Sequence, residues 1–167
     1  MAPIVRRSVG FLVAFNVVFT LLLLVLKKII PSVGDEQSDL FALSTIMDGL
    51  ELTSQAQAFR GGSVLTLAGG SAIDLRKATL SPDGALLKLN TIMGGTALLV
   101  PESWRVEVKG PAVMGAIEDR TADPAQVADD GAPMLVVEAL AVMGGIDIAS
   151  KPLKADGEPQ PELSPVV

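Results

Sequence analysis

The sequence predicts an all-β fold: a solenoid-like, right-handed parallel β-helix of short strands with Gly-Gly corners, preceded by one N-terminal transmembrane α-helix. Three observations carry this. First, one phrase recurs, as Ile46-Met47-Asp48-Gly49, Leu67-Ala68-Gly69-Gly70, Ile92-Met93-Gly94-Gly95, Val113-Met114-Gly115-Ala116 and Val142-Met143-Gly144-Gly145. Counted at the last residue of each copy, the intervals are 21, 25, 21 and 29 residues, in the range of β-solenoid repeats. Second, the period between copies is two rather than 3.6. Third, residues 8–26 carry no charge, and at about 1.5 Å per residue they nearly match a hydrocarbon core of about 30 Å.

The elements follow in chain order. Residues 1–28 form the basic N-terminus and anchor, with Arg6 and Arg7 before the apolar run and Lys27 and Lys28 after it. The run exceeds a usual signal-peptide core and lacks a small-x-small cleavage site, which favours an uncleaved, single-pass anchor in the cell membrane. Basic residues on both flanks leave its orientation unassigned by the positive-inside rule. Asn16 and Thr20, four apart, share a helical face and are the polar positions able to meet another membrane helix. Residues 29–41, with Pro31, Gly34 and the polar stretch Asp35-Glu36-Gln37-Ser38-Asp39, read as a linker.

Residues 42–150 form the β domain, of four to five rungs. Trp104, Val106 and Val108 alternate with Arg105, Glu107 and Lys109, while Leu87 and Leu89 flank Lys88, Leu65 and Leu67 flank Thr66, and Ile146 and Ile148 flank Asp147; these are half-buried strands. Leu135-Val136-Val137 is a continuous apolar run suited to burial on both faces. Ser81-Pro82-Asp83-Gly84 and Gly110-Pro111 are turn chemistry, and the last interval is stretched by a loop over 127–133. At the corners, Gly70, Gly95, Gly115 and Gly145 are expected to supply positive φ and close backbone approach, with the preceding Met or Ala pointing inward as filling. Residues 151–167, with four prolines and scattered charge, read as a disordered tail.

Composition narrows function. The chain has no His, Cys or Tyr, which removes the commonest metal ligands, thiol nucleophiles, His-based triads and disulfides. Charge is uneven: residues 1–28 hold four basic and no acidic side chains, whereas 29–167 hold 9 basic against 19 acidic, a net of −10. An acidic body disfavours nucleic acid as a partner. Neither phosphate-binding glycine motif occurs. Acids recur after the corner glycines, at Glu51, Asp74, Glu118 and Asp147, and parallel stacking at about 4.8 Å could line them up as a solvated face or a cation ladder; no calcium-loop signature accompanies them, and no metal or cofactor is expected. The pairs Glu118-Asp119 and Asp129-Asp130 are poorly placed for acid–base work, since neighbours on a strand point to opposite faces. The expectation is a non-enzymatic protein. Trp104, the single Trp, with Glu102 and Arg105 beside it, is a candidate partner contact if exposed.

The segments Gly69-Gly70-Ser71-Ala72-Ile73-Asp74-Leu75, Leu80-Ser81-Pro82-Asp83-Gly84, Leu98-Leu99-Val100-Pro101-Glu102-Ser103-Trp104-Arg105-Val106-Glu107-Val108, Gly115-Ala116-Ile117-Glu118-Asp119 and Gly144-Gly145-Ile146-Asp147-Ile148 resemble the C-terminal domain of the cell-wall-active-antibiotics response protein LiaF. The resemblance covers about residues 60–149, and Val-Pro-x-x-Trp-x-Val-x-Val between two glycine corners is its most specific part. It implies a bacterial envelope protein that restrains a stress-sensing two-component histidine kinase through contacts rather than catalysis. The alternative is self-association into a β-helical scaffold resembling bactofilin polymers, because uncapped terminal rungs can stack end to end.

Overall fold

The computed structural model describes residues 2–29, 32–127 and 132–152, with side chains of the first helix described at 13–25, 28 and 29. The chain divides into two units, Met1–Pro31 and Ser32–Val167. The first is helix α1, Ala2–Ile29. Among the described residues no helix is long and apolar enough to cross a membrane. The side chains described in α1 are nonetheless mostly apolar and exposed, including Val13, Phe15, Val17, Val18, Leu21, Leu22, Leu24 and Val25.

The second unit is built of five rungs, each a strand, a corner and a second strand. The first is β1 (Leu40–Ile46) and β2 (Gly49–Thr53); the second, β3 (Gly61–Leu67) and β4 (Gly70–Asp74); the third, β5 (Ala85–Ile92) and β6 (Gly95–Val100). The fourth is β7 (Arg105–Lys109), β8 (Ala112–Val113) and β9 (Ala116–Arg120). A single helical turn, α2 (Pro124–Val127), precedes the fifth, β10 (Met134–Val142) and β11 (Gly145–Ser150). Every strand pairing is parallel. One sheet runs β1-β3-β5-β10-β7, with β8 also on β10, and the other β2-β4-β6-β11-β9.

The parallel, β-helix-like architecture is therefore present, but the rungs do not stack in chain order. The fifth rung lies between the third and the fourth. Composition supplies the reason. The fourth rung carries Arg105, Glu107, Lys109, Pro111, Glu118, Asp119 and Arg120, and charges with a proline blunt an open sheet edge. The fifth, Met-Leu-Val-Val-Glu-Ala-Leu-Ala-Val, gains more from having neighbours on both sides. Its Leu135 and Val137 are fully buried while Val136 is half-exposed, so the run is central in its sheet but buried on one face, not two.

At the opposite end, residues 32–39 cap the first rung instead of linking freely, and β1 already begins at Leu40. Val33 and Ala42 form an antiparallel bridge, with N–H to O distances of 2.6 and 2.7 Å. The Gln55 and Arg60 amides donate to the Glu36 and Asp39 carbonyls at 2.6 and 2.7 Å. These contacts satisfy backbone groups that an edge would leave open.

Inside the coil Leu87, Leu89, Leu98, Val100, Leu135, Val137, Ile146 and Ile148 are all fully buried, each contributing about 2 kcal/mol by removal from water. Phe59 lies between Phe41, tilted against it at a ring-centroid distance of 5.6 Å, and Trp104, stacked on it at 6.2 Å. Beside this core runs a hydroxyl ladder that apolar alternation conceals. Thr66 points inward and is fully buried, while Leu65 and Leu67 face outward. Its Oγ1 lies 2.7 Å from Ser71 Oγ and 2.9 Å from Thr96 Oγ1; Ser71 reaches Thr45 at 3.2 Å, and Thr96 reaches Thr91 at 2.6 Å. The phase of β3 is thus opposite to the one its leucines suggest, because each buried hydroxyl has a partner on the next strand or rung.

Corner geometry also departs from expectation. The left-handed residue in each corner is the Met or Ala, not the Gly: φ is 52° at Met47, 53° at Ala68, 55° at Met93, 51° at Met114 and 52° at Met143. The first glycine of each pair is demanded by stacking. A Cβ on Gly69 would collide with the Asp48 carbonyl oxygen, one on Gly94 with that of Gly69, one on Gly144 with that of Gly94, and one on Gly115 with that of Gly144. Asp48 occupies the first rung, where no lower corner exists to collide with. Gly70, Gly95 and Gly145 meet nothing within 4 Å; they open the second strand and are not the corner constraint, whereas Gly115 is.

This asymmetry is testable by denaturant unfolding. Gly94→Ala should cost about 3 kcal/mol or more, because a backbone clash must be relieved, while Gly95→Ala should stay within about 1 kcal/mol of the parent. Thr66→Val should cost about 1–3 kcal/mol, since Ser71 and Thr96 each lose a buried partner.

Candidate interaction surface

The left-handed corner aims its side chain away from the coil. Met47, Met93, Met143 and Met114 are 51, 44, 51 and 77 % exposed, so the expectation that they fill the interior is overturned. The register places them in one column, Met47, Ala68, Met93, Met143, Met114, since Gly49 pairs with Gly70, Gly70 with Gly95, Gly95 with Gly145 and Gly145 with Ala116. Hydrogen bonds hold the column on both sides. The Met47, Ala68, Met93 and Met143 amides donate to Leu67, Ile92, Val142 and Val113 at 2.9–3.0 Å, and the Gly70, Gly95, Gly145 and Ala116 amides to Asp48, Gly69, Gly94 and Gly144 at 3.0–3.1 Å.

A second apolar column lies immediately before it. Ile46, Leu67, Ile92, Val142 and Val113 are in mutual register, with Ile46 buried, Val113 half exposed and the others between. Five rungs at about 4.8 Å make a stripe roughly 19 Å long. A water-facing apolar band of this kind is a candidate contact surface, and unbranched methionine can adapt to differing partners. The repeated phrase writes this stripe directly: an apolar residue and then Met or Ala, five times over.

The recurrent acids form no single ladder. Glu51, Ala72, Ala97, Asp147 and Glu118 share one outward row of the second sheet, while Asp74 lies in the next row with Thr53, Leu99, Ala149 and Arg120. Two of them are paired with arginines. Arg120 grips Asp147, whose hydrogen bonds raise the guanidinium pKa further. Arg76 binds Asp74 through Nε at 2.9 Å and Nη2 at 2.6 Å, and also reaches the Pro152 carbonyl at 3.2 Å. Ala72 and Ala97 leave a shallow depression between Glu51, Asp74, Asp147 and Lys151. Among the described residues no three His, Cys, Asp or Glu side chains are grouped to hold a metal ion.

Trp104 is 8 % exposed and belongs to the aromatic core, so it is not the contact residue. Glu102 is exposed, and Arg105, half-buried, turns its Nη1 toward the Ala132 carbonyl at 3.5 Å; the three do not converge on a site. Glu118 and Asp119 are both exposed, with Asp119 occupied by the Thr121 amide and hydroxyl at 3.0 and 2.7 Å. Asn16 and Thr20 are exposed on α1. Asp129, Asp130 and residues 153–167 lie outside the described residues. The methionine column is not legible in the sequence as a surface, although a Met or Ala before every constrained glycine is its signal.

No family model matches the chain, and no solved structure matches it. Two uncharacterised proteins of Mycobacterium tuberculosis, from the strains CDC 1551 and H37Rv, are similar at 26 and 25 % identity over 112 residues. The match covers 67 % of this chain and 54 % of each relative, so the chain spans about half the length of the curated relatives it matches.

The Asp74–Arg76 pair sets a pH dependence. Burial pushes the Asp74 pKa up, but the hydrogen bonds and charge of Arg76 together outweigh it and leave it below the ordinary value of 3.8. The unfolded chain therefore takes up this proton first. The pair's stabilisation is complete above pH 3.8 and is lost as pH falls through the lower folded value. Asp74→Asn should lower stability at pH 7 by about 1 kcal/mol and flatten the decline below pH 4 in thermal melts recorded against pH.

Proposed function

We propose that the chain is a single-pass, membrane-anchored regulatory protein of the bacterial envelope that acts by protein contacts, restraining a stress-sensing two-component histidine kinase, with the corner stripe as its contact surface. The observation that carries this reading is the apolar band formed by the part-exposed Leu67, Ile92, Val142 and Val113 beside Met47, Ala68, Met93, Met143 and Met114. A rigid coil presenting one apolar edge suits binding better than turnover, and the lack of His, Cys and Tyr leaves little for nucleophilic or acid–base chemistry.

Support for the anchor comes from α1. Its 28 residues reach about 42 Å at 1.5 Å per residue, and Val13, Phe15, Val17, Val18, Leu21, Leu22, Leu24 and Val25 make one broad exposed apolar face of the described part, with Leu23 buried on the other side. The LiaF-like segments supply the kinase as partner class. End-to-end assembly is less favoured, since one terminal rung is capped by residues 32–39 and the other is edged with charge.

Site-specific photocrosslinking in native membranes tests the reading. A crosslinker at Val113 is expected to capture a histidine kinase, and one at Lys88, which is salt-bridged to Glu138 at 3.0 Å on the same sheet away from the corner, is not. Capture of copies of the chain alone would replace regulation by assembly, and equal capture from both positions would remove the stripe from the account.

A further inference from the structure

The contact reading leaves one thing unexplained, the identity of the corner residue. A left-handed backbone costs a non-glycine residue about 1–2 kcal/mol, and Asn, Asp or Gly would occupy it at less cost. Yet four of the five corners carry Met, using four of the chain's six methionines. An apolar band alone does not call for sulfur, because Leu is equally unbranched at Cβ and more apolar.

Three of these methionines sit on consecutive rungs. Met143 stands between Met93 and Met114, as the pairings Gly145 with Gly95 and Gly145 with Ala116 require. All three share φ within 51–55°, so their side chains leave the backbone in the same direction at a spacing of about 4.8 Å. Each is a long, flexible thioether open to solvent. Met47 is set apart from the three by Ala68.

We propose that Met93, Met143 and Met114 form a thioether site for a soft monovalent cation, Cu(I) or its analogue Ag(I). Neutral thioethers select Cu(I) over harder divalent ions. They need no deprotonation, so binding is independent of pH across the range in which thiolate or imidazole sites fail. The acidic body, with a net charge of −10 over residues 29–167, favours approach of a cation. No carboxylate need be a ligand, which fits the absence of acid clusters among the described residues. The register sets the three donors in one row, and the left-handed corner leaves them side-chain-outward and open to solvent.

The test is anaerobic titration of the full-length chain in detergent with Cu(I), in competition with a chromophoric Cu(I) chelator, and in parallel with Ag(I) and Zn(II). The chain is expected to take up one Cu(I) or Ag(I) with a sulfur-only shell by X-ray absorption, and no Zn(II). Met143→Leu should weaken binding at least about tenfold, the triple change Met93→Leu, Met114→Leu, Met143→Leu should abolish it, and Met47→Leu should leave it unchanged. A second preparation with norleucine in place of every Met, a methylene for each sulfur, repeats the loss without altering apolar surface, and circular dichroism checks its fold. Undiminished Cu(I) uptake by the triple variant or the norleucine chain, or no uptake by the parent, overturns the inference. Because leucine preserves the apolar band, crosslinking from Val113 persists in the triple variant even if the metal site is real, so failure of the metal site and failure of the contact reading are separate results.

Discussion

Everything in the β unit depends on how closely one corner backbone lies on the next. The carbonyl oxygens of Asp48, Gly69, Gly94 and Gly144 each occupy the place where the stacked corner would carry a Cβ, while accepting the amide of the residue after that glycine. Van der Waals exclusion and hydrogen bonding thus act on the same atom. The hydrogen-bond ladder passes through the bend without a break, and the two sheets behave as one continuous coil. The cost is conformational: in all five corners the left-handed turn falls on the residue before this position, and the methionine side chains there are exposed.

Surface and scaffold therefore have a common origin. An ordinary strand hides every second residue, so an apolar band two residues wide would need special pleading on a flat sheet. Here Ile92 faces outward because Thr91 faces inward to Thr96, and Met93 faces outward because of its φ. Adjacent residues are exposed side by side, and the repeat carries the pair from rung to rung.

Much of this was legible. The five-copy phrase and the period of two indicated parallel rungs, and the turn at 81–84 is closed by the Gly84 amide on the Ser81 carbonyl at 2.9 Å. What misled was the assumption that apolar means inward. Leu65, Leu67 and the corner methionines are apolar and outward, while Thr45, Thr66 and Thr91 are polar and buried. Pattern reading weighs side chains one at a time, whereas the hydroxyls are stabilised only as a set spanning rungs, which no local window contains. The stacking order was illegible for a similar reason. Arg105, Glu107 and Lys109 look like any half-buried strand until compared with β10 as rivals for the same central place. The acids at Glu51, Asp74, Glu118 and Asp147 seemed to repeat, but Asp74 is displaced by two residues, enough to move it to another row.

The position of the fifth rung bears on how the chain is made. Synthesis proceeds from the N-terminus, so the first three rungs can close in order as they emerge, each upon the one before. The fourth emerges next and finds β5 and β6 open but belonging to a partner not yet translated. Only when β10 and β11 arrive can β7, β8 and β9 find their true neighbours. The coil can be completed only when the fifth rung is available, because it lies between the third and the fourth. Until then the β5 edge is a strand edge without its native neighbour, so the order of rungs sets how long an unpaired edge stays open during synthesis.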